Sequence, residues 1–278
     1  MNGDFLGLQS TFDKAVSAYK VNKLYEAKNF FVSILKKNPN HLETIFYLGM
    51  IALKNREFDK AKILSQKAIK INPTFAEAHH NLGQSFKDLG ENEKAIASYK
   101  EAIKIKPNLF ASYNNLGNIF KENGENKKAI EYFLNAIKIN PKSFEAYNNL
   151  GIVYKLLKDY KRAGECFKNA IDINSKFYLA YYNLGKMHKE MKQYKEAIKY
   201  LKIPNTKRAK AEVLESIYLS NDLKGYLNTL KDFSLADSLN LRIATIASYV
   251  SKKENIKNDY PFCVDPFEYI SVQNIKKE

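Results

Sequence analysis

Apolar and small residues recur along this chain with two superposed periods. Over short windows they fall on one side of a helix, as at Leu82, Gly83 and Phe86, and again at Ala95, Tyr99, Ala102, Ile103 and Ile105. Over longer distances the whole pattern returns every 34 residues, from Leu42 to Ala76, Phe110, Phe144 and Tyr178, and more faintly from Leu8, without insertion or deletion. A Leu-Gly pair recurs at Leu48-Gly49, Leu82-Gly83, Leu116-Gly117, Leu150-Gly151 and Leu184-Gly185. Alanines follow in step at Ala61, Ala95, Ala129, Ala163 and Ala197, then at Ala68, Ala102, Ala136 and Ala170. Each repeat therefore predicts two helices. The small residues let their backbones approach closely, and Gly90, Gly124 or Lys158 separates them. A proline ends the second helix at Pro39, Pro73, Pro107 and Pro141, with Ser175 in its place once, because it has no amide hydrogen and disfavours helix before it.

A strict period of this length with this pattern resembles the tetratricopeptide repeat. The resemblance covers residues 8 to about 202, with His79, Tyr113, Tyr147 or Tyr181 where the family has an early tryptophan, and Lys14-Ala15 where the first repeat lacks Leu-Gly. It implies an all-α fold, a right-handed α-solenoid of helix-turn-helix units closed by a C-terminal helical cap. The expected order is a lead at 1–7, then units at 8–41, 42–75, 76–109, 110–143, 144–177 and a truncated 178–202. The last unit is truncated because Pro204 falls where its second alanine belongs. Residues 203–257 read as a degenerate capping block: a helix pair at about 207–220 and 222–232, with Asp222 as a cap, then a longer amphipathic helix at 235–253. Residues 258–278, with Tyr260-Pro261-Phe262-Cys263 and Asp265-Pro266-Phe267, read as an extended segment. A single unit cannot bury enough apolar surface alone, so stability should be collective.

Charge adds a partner class. The chain of 278 residues carries a net charge of +15, which suits an acidic partner or nucleic acid. The lysines are dispersed among acids, many stand late in second helices (Lys70, Lys104, Lys138) where a cation suits the helix dipole, and no arginine-rich run appears. Nucleic acid is therefore the weaker expectation. Two cysteines, Cys166 and Cys263, make no disulfide framework and fit a reducing compartment. The stretch MNGDFLGLQS has neither a basic n-region nor an apolar run, and no segment has the length of a membrane span, so a cytoplasmic protein is expected.

In the resembled family the first helices line the inner, concave face. Here that face carries a column of Asn81, Asn115, Asn149 and Asn183, with Tyr47 ahead of it, and a second column of Lys87, Lys121, Lys155 and Lys189. Around them lie His80, Asn114, Asn148, Tyr182, Gln84 and Asn118. A carboxamide donates and accepts, as a peptide backbone does, so the first column suits an extended segment. The lysines favour acidic segments or form a solvated edge beside Asp88, Glu122 and Glu190. The asparagines are similar to the column that grips substrate backbone in the O-linked N-acetylglucosamine transferase family. The family's clamp for a C-terminal carboxylate is absent, since Asn114, Leu179 and Asn183 stand where bases are needed.

Catalytic, cofactor and metal residues are not expected. His41, His79, His80 and His188 have no ligand-spaced partners, His79 and His188 fall on positions facing the interior of a unit, and the glycines are packing or turn residues. The tail resembles the segment preceding the 2-oxoglutarate/Fe(II) oxygenase domain of certain bacterial repeat proteins. The expected function is a non-enzymatic scaffold that binds an extended protein segment. The alternative is the substrate-recruiting part of a modifying enzyme, an oxygenase or glycosyltransferase, with a separate catalytic domain as partner.

Overall fold

The computed structural model describes residues 2–236 and 241–255. Every regular element among them is a helix, and the chain divides into two compact units, 1–141 and 142–278.

The first unit holds α1 (Asn2–Lys20), α2 (Leu24–Lys37), α3 (Leu42–Lys54), α4 (Phe58–Ile71), α5 (Ala76–Asp88), α6 (Asn92–Ile105), α7 (Phe110–Glu122) and α8 (Asn126–Ile139). They pair as hairpins, α1 with α2 through α7 with α8. The expected lead at 1–7 is instead largely helical, since α1 begins at Asn2. The second unit holds α9 (Phe144–Leu156), α10 (Tyr160–Ile173), α11 (Tyr178–Glu190), α12 (Tyr194–Leu201), α13 (Lys207–Leu219), α14 (Leu223–Ala236) and α15 (Leu241–Glu254).

The hairpin seams are built from the recurring small residues. Ala27, Ala61, Ala95, Ala129, Ala163 and Ala197 are all fully buried, and Gly83, Gly117, Gly151 and Gly185 of the first helices each receive a large side chain of the second. A β-carbon added at Gly117 would lie 2.7 Å from the Phe133 ring, one at Gly151 2.7 Å from Phe167, and one at Gly83 2.8 Å from Tyr99. Real side chains do not approach so closely, so these rings occupy space that only glycine leaves. The chain then reverses through one left-handed residue per hairpin: Asn22, Arg56, Gly90, Gly124, Lys158, Lys192 or Asn221. The separators expected at Gly90, Gly124 and Lys158 are three of these.

The repeat changes at α12, which has 8 residues where α10 has 14, and stops at Leu201 ahead of Pro204. Thr206 restarts the helix by accepting the Ala209 amide at 3.2 Å. Asp222 caps α14 by accepting the Gly225 amide at 2.8 Å, as its sequence position suggests. α14 runs on to Ala236, past the expected end at 232. Leu201, Val213, Leu214, Ile217, Tyr226, Leu230, Ile243, Ala247 and Val250 join in one apolar cluster, so α13, α14 and α15 cover the end of the α11–α12 hairpin. Of the longer helix expected at 235–253, residues 241–253 lie in α15 and 235–236 in α14, residues 237–240 being outside the described residues. The stretch 258–278, including Cys263, also lies outside them. Cys166 is buried in α10 with its thiol pushed up to about 12 by burial, so it stays protonated and inert at neutral pH.

Candidate functional site

Counting along each first helix places the columns. Asn81, Asn115, Asn149 and Asn183 are the sixth residues of α5, α7, α9 and α11, and Lys87, Lys121, Lys155 and Lys189 are the twelfth. His80, Asn114, Asn148 and Tyr182 are the fifth. These columns are not rows of free groups. Much of their bonding capacity is spent on neighbouring helices, and the two units spend it differently.

In the first unit, the Asn115 Nδ2 donates to Gln84 Oε1 at 3.0 Å and to the Tyr99 hydroxyl at 3.1 Å. The Tyr99 hydroxyl donates to the same Gln84 oxygen at 3.1 Å, and Gln84 Nε2 donates to Asp88 at 2.8 Å. This network ties α5, α6 and α7 together. It depends on Gly83, which lets the Tyr99 ring cross the seam so that its hydroxyl reaches the first helices. One turn further along α7, Lys121 Nζ donates to Asn118 Oδ1 at 2.9 Å. Burial holds the Lys121 ammonium below the usual lysine range, Glu122 opposes this, and the nearby Lys87 charge adds to it. Asn81 is buried.

His80 also serves the fold. Its Nδ1 hydrogen-bonds the buried Ser112 hydroxyl on α7 at 2.8 Å, and its ring packs 5.3 Å from that of Tyr99. Burial pushes its pKa from 6.5 down to about 4, so it is neutral at pH 7 and brings no charge to this face. The sign follows from linkage: the unfolded chain binds the proton more readily, so stability is full above pH 6.5 and falls as pH drops toward 4. The full shift corresponds to ~3 kcal/mol, which the ring's remaining exposure reduces to about 1–2 kcal/mol. Unfolding free energies from urea titrations between pH 7 and 4 should fall by that amount, and by less in a His80→Gln variant.

His79 and His188 reach less far inward than their interior-facing positions suggest. Both are half-buried. The His79 Nε2 pairs with the Pro73 carbonyl at 2.9 Å, and His188 Nδ1 pairs with Gln193 Oε1 at 2.7 Å while its ring stacks on Tyr200. They brace turns. His41 caps α3 by accepting the Thr44 amide.

In the second unit, Asn183 Nδ2 donates to Asn148 Oδ1 at 2.8 Å, and Asn148 is only 2 % exposed. Asn149, half-buried, also interacts within the protein, as does the half-buried Asn114 of α7 in the first unit. Lys155 pairs with Glu190 of α11 at 2.8 Å. Lys189 is held by Glu212 at 2.6 Å and Glu215 at 2.8 Å, both on α13. Glu212 also accepts from the Tyr182 hydroxyl at 3.2 Å and lies 3.6 Å from Lys186. Burial would raise the Glu212 carboxyl, but the hydrogen bond and charge of Lys189, with Lys186 and Tyr182, outweigh it and leave it below the usual range.

Glu212 escapes a reading by period. It is the sixth residue of α13, the place taken by asparagine in α5, α7, α9 and α11. It follows Asn183 by 29 residues because α12 is short, so a search at 34 lands elsewhere. The signal lies in position counted from the Thr206 cap.

Among the described residues, no group of three or more His, Cys, Asp or Glu is placed to hold a metal, and no helix is long and apolar enough to cross a membrane. Among the described residues of the first unit, the Asn115 Oδ1 and Asn118 Nδ2 atoms, three residues apart on α7, and the Lys87 ammonium make no hydrogen bond or ion pair, and the Lys121 ammonium bonds only Asn118.

Sequence profiles described as TPR repeat match residues 83–124 and 117–158, and others described as tetratricopeptide repeat match 42–75, 64–97, 144–177 and 166–199. No curated protein matches the chain. Among solved structures, PilF of Pseudomonas aeruginosa aligns over 75% of this chain and 97% of its own at 19% identity, with a TM-score of 0.63. MamA aligns over 58% of this chain and 95% of its own at 26% identity, with a TM-score of 0.51. The APC/C hetero-tetramer Cut9–Hcn1 aligns over 85% of this chain at 22% identity and a TM-score of 0.65, but only 45% of that longer chain is matched. The likenesses to PilF and Cut9–Hcn1 are likenesses of fold. The profile matches together run from 42 to 199, more than half of the chain, and the chain therefore belongs to the tetratricopeptide repeat family.

Proposed function

We propose that this protein is an interaction scaffold, and that the first helices α5 and α7 bind the backbone of an extended polypeptide segment. The observation that carries this is the hydrogen-bonding state of Asn115 and Asn118. The Asn115 amide nitrogen is spent on Gln84 and Tyr99, which leaves its carbonyl oxygen to accept. The Asn118 carbonyl oxygen accepts from Lys121, which leaves its amide nitrogen to donate. Both side chains are half-buried and stand on one helix face. One acceptor beside one donor complements a peptide group, which offers an N–H and a C=O. The surrounding bonds hold both carboxamides in place, so little side-chain entropy is lost on binding.

Family membership supports the coarser part of this reading, since the fold is shared by proteins that assemble with others, as the name of the Cut9–Hcn1 hetero-tetramer records. The same step would serve a scaffold or the substrate-recruiting part of a separate modifying enzyme. The test is a peptide-array screen followed by titration of a captured peptide into wild type, Asn118→Ala and Asn115→Ala. A net hydrogen bond contributes about 1 kcal/mol, so each variant should weaken binding roughly fivefold while far-UV circular dichroism stays unchanged. Equal affinity for all three proteins would remove the assignment.

A further inference from the structure

A peptide backbone is the same in every partner, so selectivity must come from side chains. We infer that the bound segment carries acidic side chains, and that Lys87 and Lys121 are the pair that receives its carboxylates. This rests on the reading that α5 and α7 bind an extended segment.

The second unit shows what the twelfth-position lysines accept. Lys155 of α9 takes a carboxylate from the following first helix, Glu190 of α11. Lys189 of α11 takes two from α13, Glu212 and Glu215. In each case a carboxylate is delivered alongside the column at 2.6–2.8 Å. In the first unit the same positions hold cations without that counter-charge. Among the described residues neither Lys87 nor Lys121 makes an ion pair. Lys121 bonds only the neutral Asn118 oxygen, and Glu122 lies near it without pairing. Both lysines are half-buried, and burial together with the Lys87 charge outweighs the pull of Glu122 and leaves the Lys121 ammonium short of counter-charge. A bound anion relieves both costs.

The chemistry favours a carboxylate. The pair consists of two ammonium point charges with no guanidinium fork, so it lacks the bidentate geometry with which arginine reads phosphate. Neighbouring helices pack roughly 8–10 Å apart, and an extended chain advances about 3.3 Å per residue, so acids two or three positions apart reach both lysines.

The experiment uses the full chain and labelled Gly/Ser peptides carrying two Glu three residues apart, or two Gln in their place, read by fluorescence anisotropy. The Glu peptide is expected to bind about tenfold more tightly. The K87Q/K121Q variant should erase that difference. A charge-matched control, K70Q/K104Q, alters exposed lysines outside the columns and should keep it. Equal binding of Glu and Gln peptides overturns the acid preference and leaves the backbone reading standing, provided Asn118→Ala weakens both. Equal losses in the two lysine variants overturn the site by reducing it to net charge. A single-stranded oligonucleotide that displaces the Glu peptide at lower concentration overturns the partner class. Failure of both peptides to bind overturns both readings.

Discussion

Truncation of Phe133 to alanine is expected to destabilise the protein by about 3–5 kcal/mol, read as a lower urea midpoint for the loss of helical circular dichroism. Phe133 is fully buried, and its ring lies over the Gly117 α-carbon in the α7–α8 seam. Removing it leaves a cavity that two closely spaced helices cannot readily close. Gly117→Ala should cost about 1–3 kcal/mol in the native background, because the added methyl would meet three ring atoms at 2.7–2.9 Å. In the Phe133→Ala background the same methyl has room, and alanine is the better helix former by ~1 kcal/mol, so the second substitution should restore stability. The two changes are therefore strongly non-additive. An equal cost for Gly117→Ala in both backgrounds would falsify the close-approach argument. The first hairpin carries Ala15 and Phe31 at these two positions, both fully buried, so alanine is tolerable where the helices have settled around it. This places the cost at Gly117 toward the lower end.

The second large effect is expected at Glu212. Replacement by Gln leaves Lys189 and Lys186 without the carboxylate that joins them, in a site where the Glu212 and Lys189 side chains are 10% and 15% exposed. Losing one partner of such a buried pair costs about 3–4 kcal/mol, with Glu215 limiting the damage at Lys189. Replacing both partners, as Glu212→Met with Lys189→Met, should cost less than the single change, because no buried charge is then stranded. Thermal melts of the three proteins separate these outcomes. A single variant that melts with wild type, or a double variant that melts below the single, would show that the pair does not hold α13 to α11. The pH dependence has a definite sign. The folded Glu212 carboxyl lies below its ordinary 4.5, so its contribution is present above that pH and is lost as pH falls through the depressed value.

The architecture was legible because it is periodic. Leu-Gly, the two alanines and the proline mark helix, seam and stop at the same places in successive repeats, and one repeat read correctly gives the others. Pro204 announced the shortened α12, and Asp222 announced α14. The site was legible only as positions. Sequence puts Asn115 and Asn183 in one column, but their surroundings differ. Asn115 meets Gln84 and a tyrosine that reaches through the seam, while Asn183 meets the buried Asn148. What a rung can bind depends on what the hairpin 34 residues away presents, and that is set by side-chain reach rather than by period. The lysines make the same point. Lys87 and Lys189 occupy equivalent places, yet Lys189 is neutralised by a helix whose register was hidden by the shortened spacing.

The short α12 also bears on how such a chain can change over generations. The stretches 76–109, 110–143 and 144–177 have equal length and equivalent seams, so unequal recombination between their coding segments adds or deletes one whole hairpin with its own seam intact. The stretch from 178 to Pro204 cannot be exchanged so freely, because its Leu201 end fits only the cluster formed with α13, α14 and α15. A copy inserted earlier would bring that ending into the middle of the array. Lengthening by duplication is therefore open upstream of Tyr178 and closed downstream of it, which gives the gene a growing side and a fixed one.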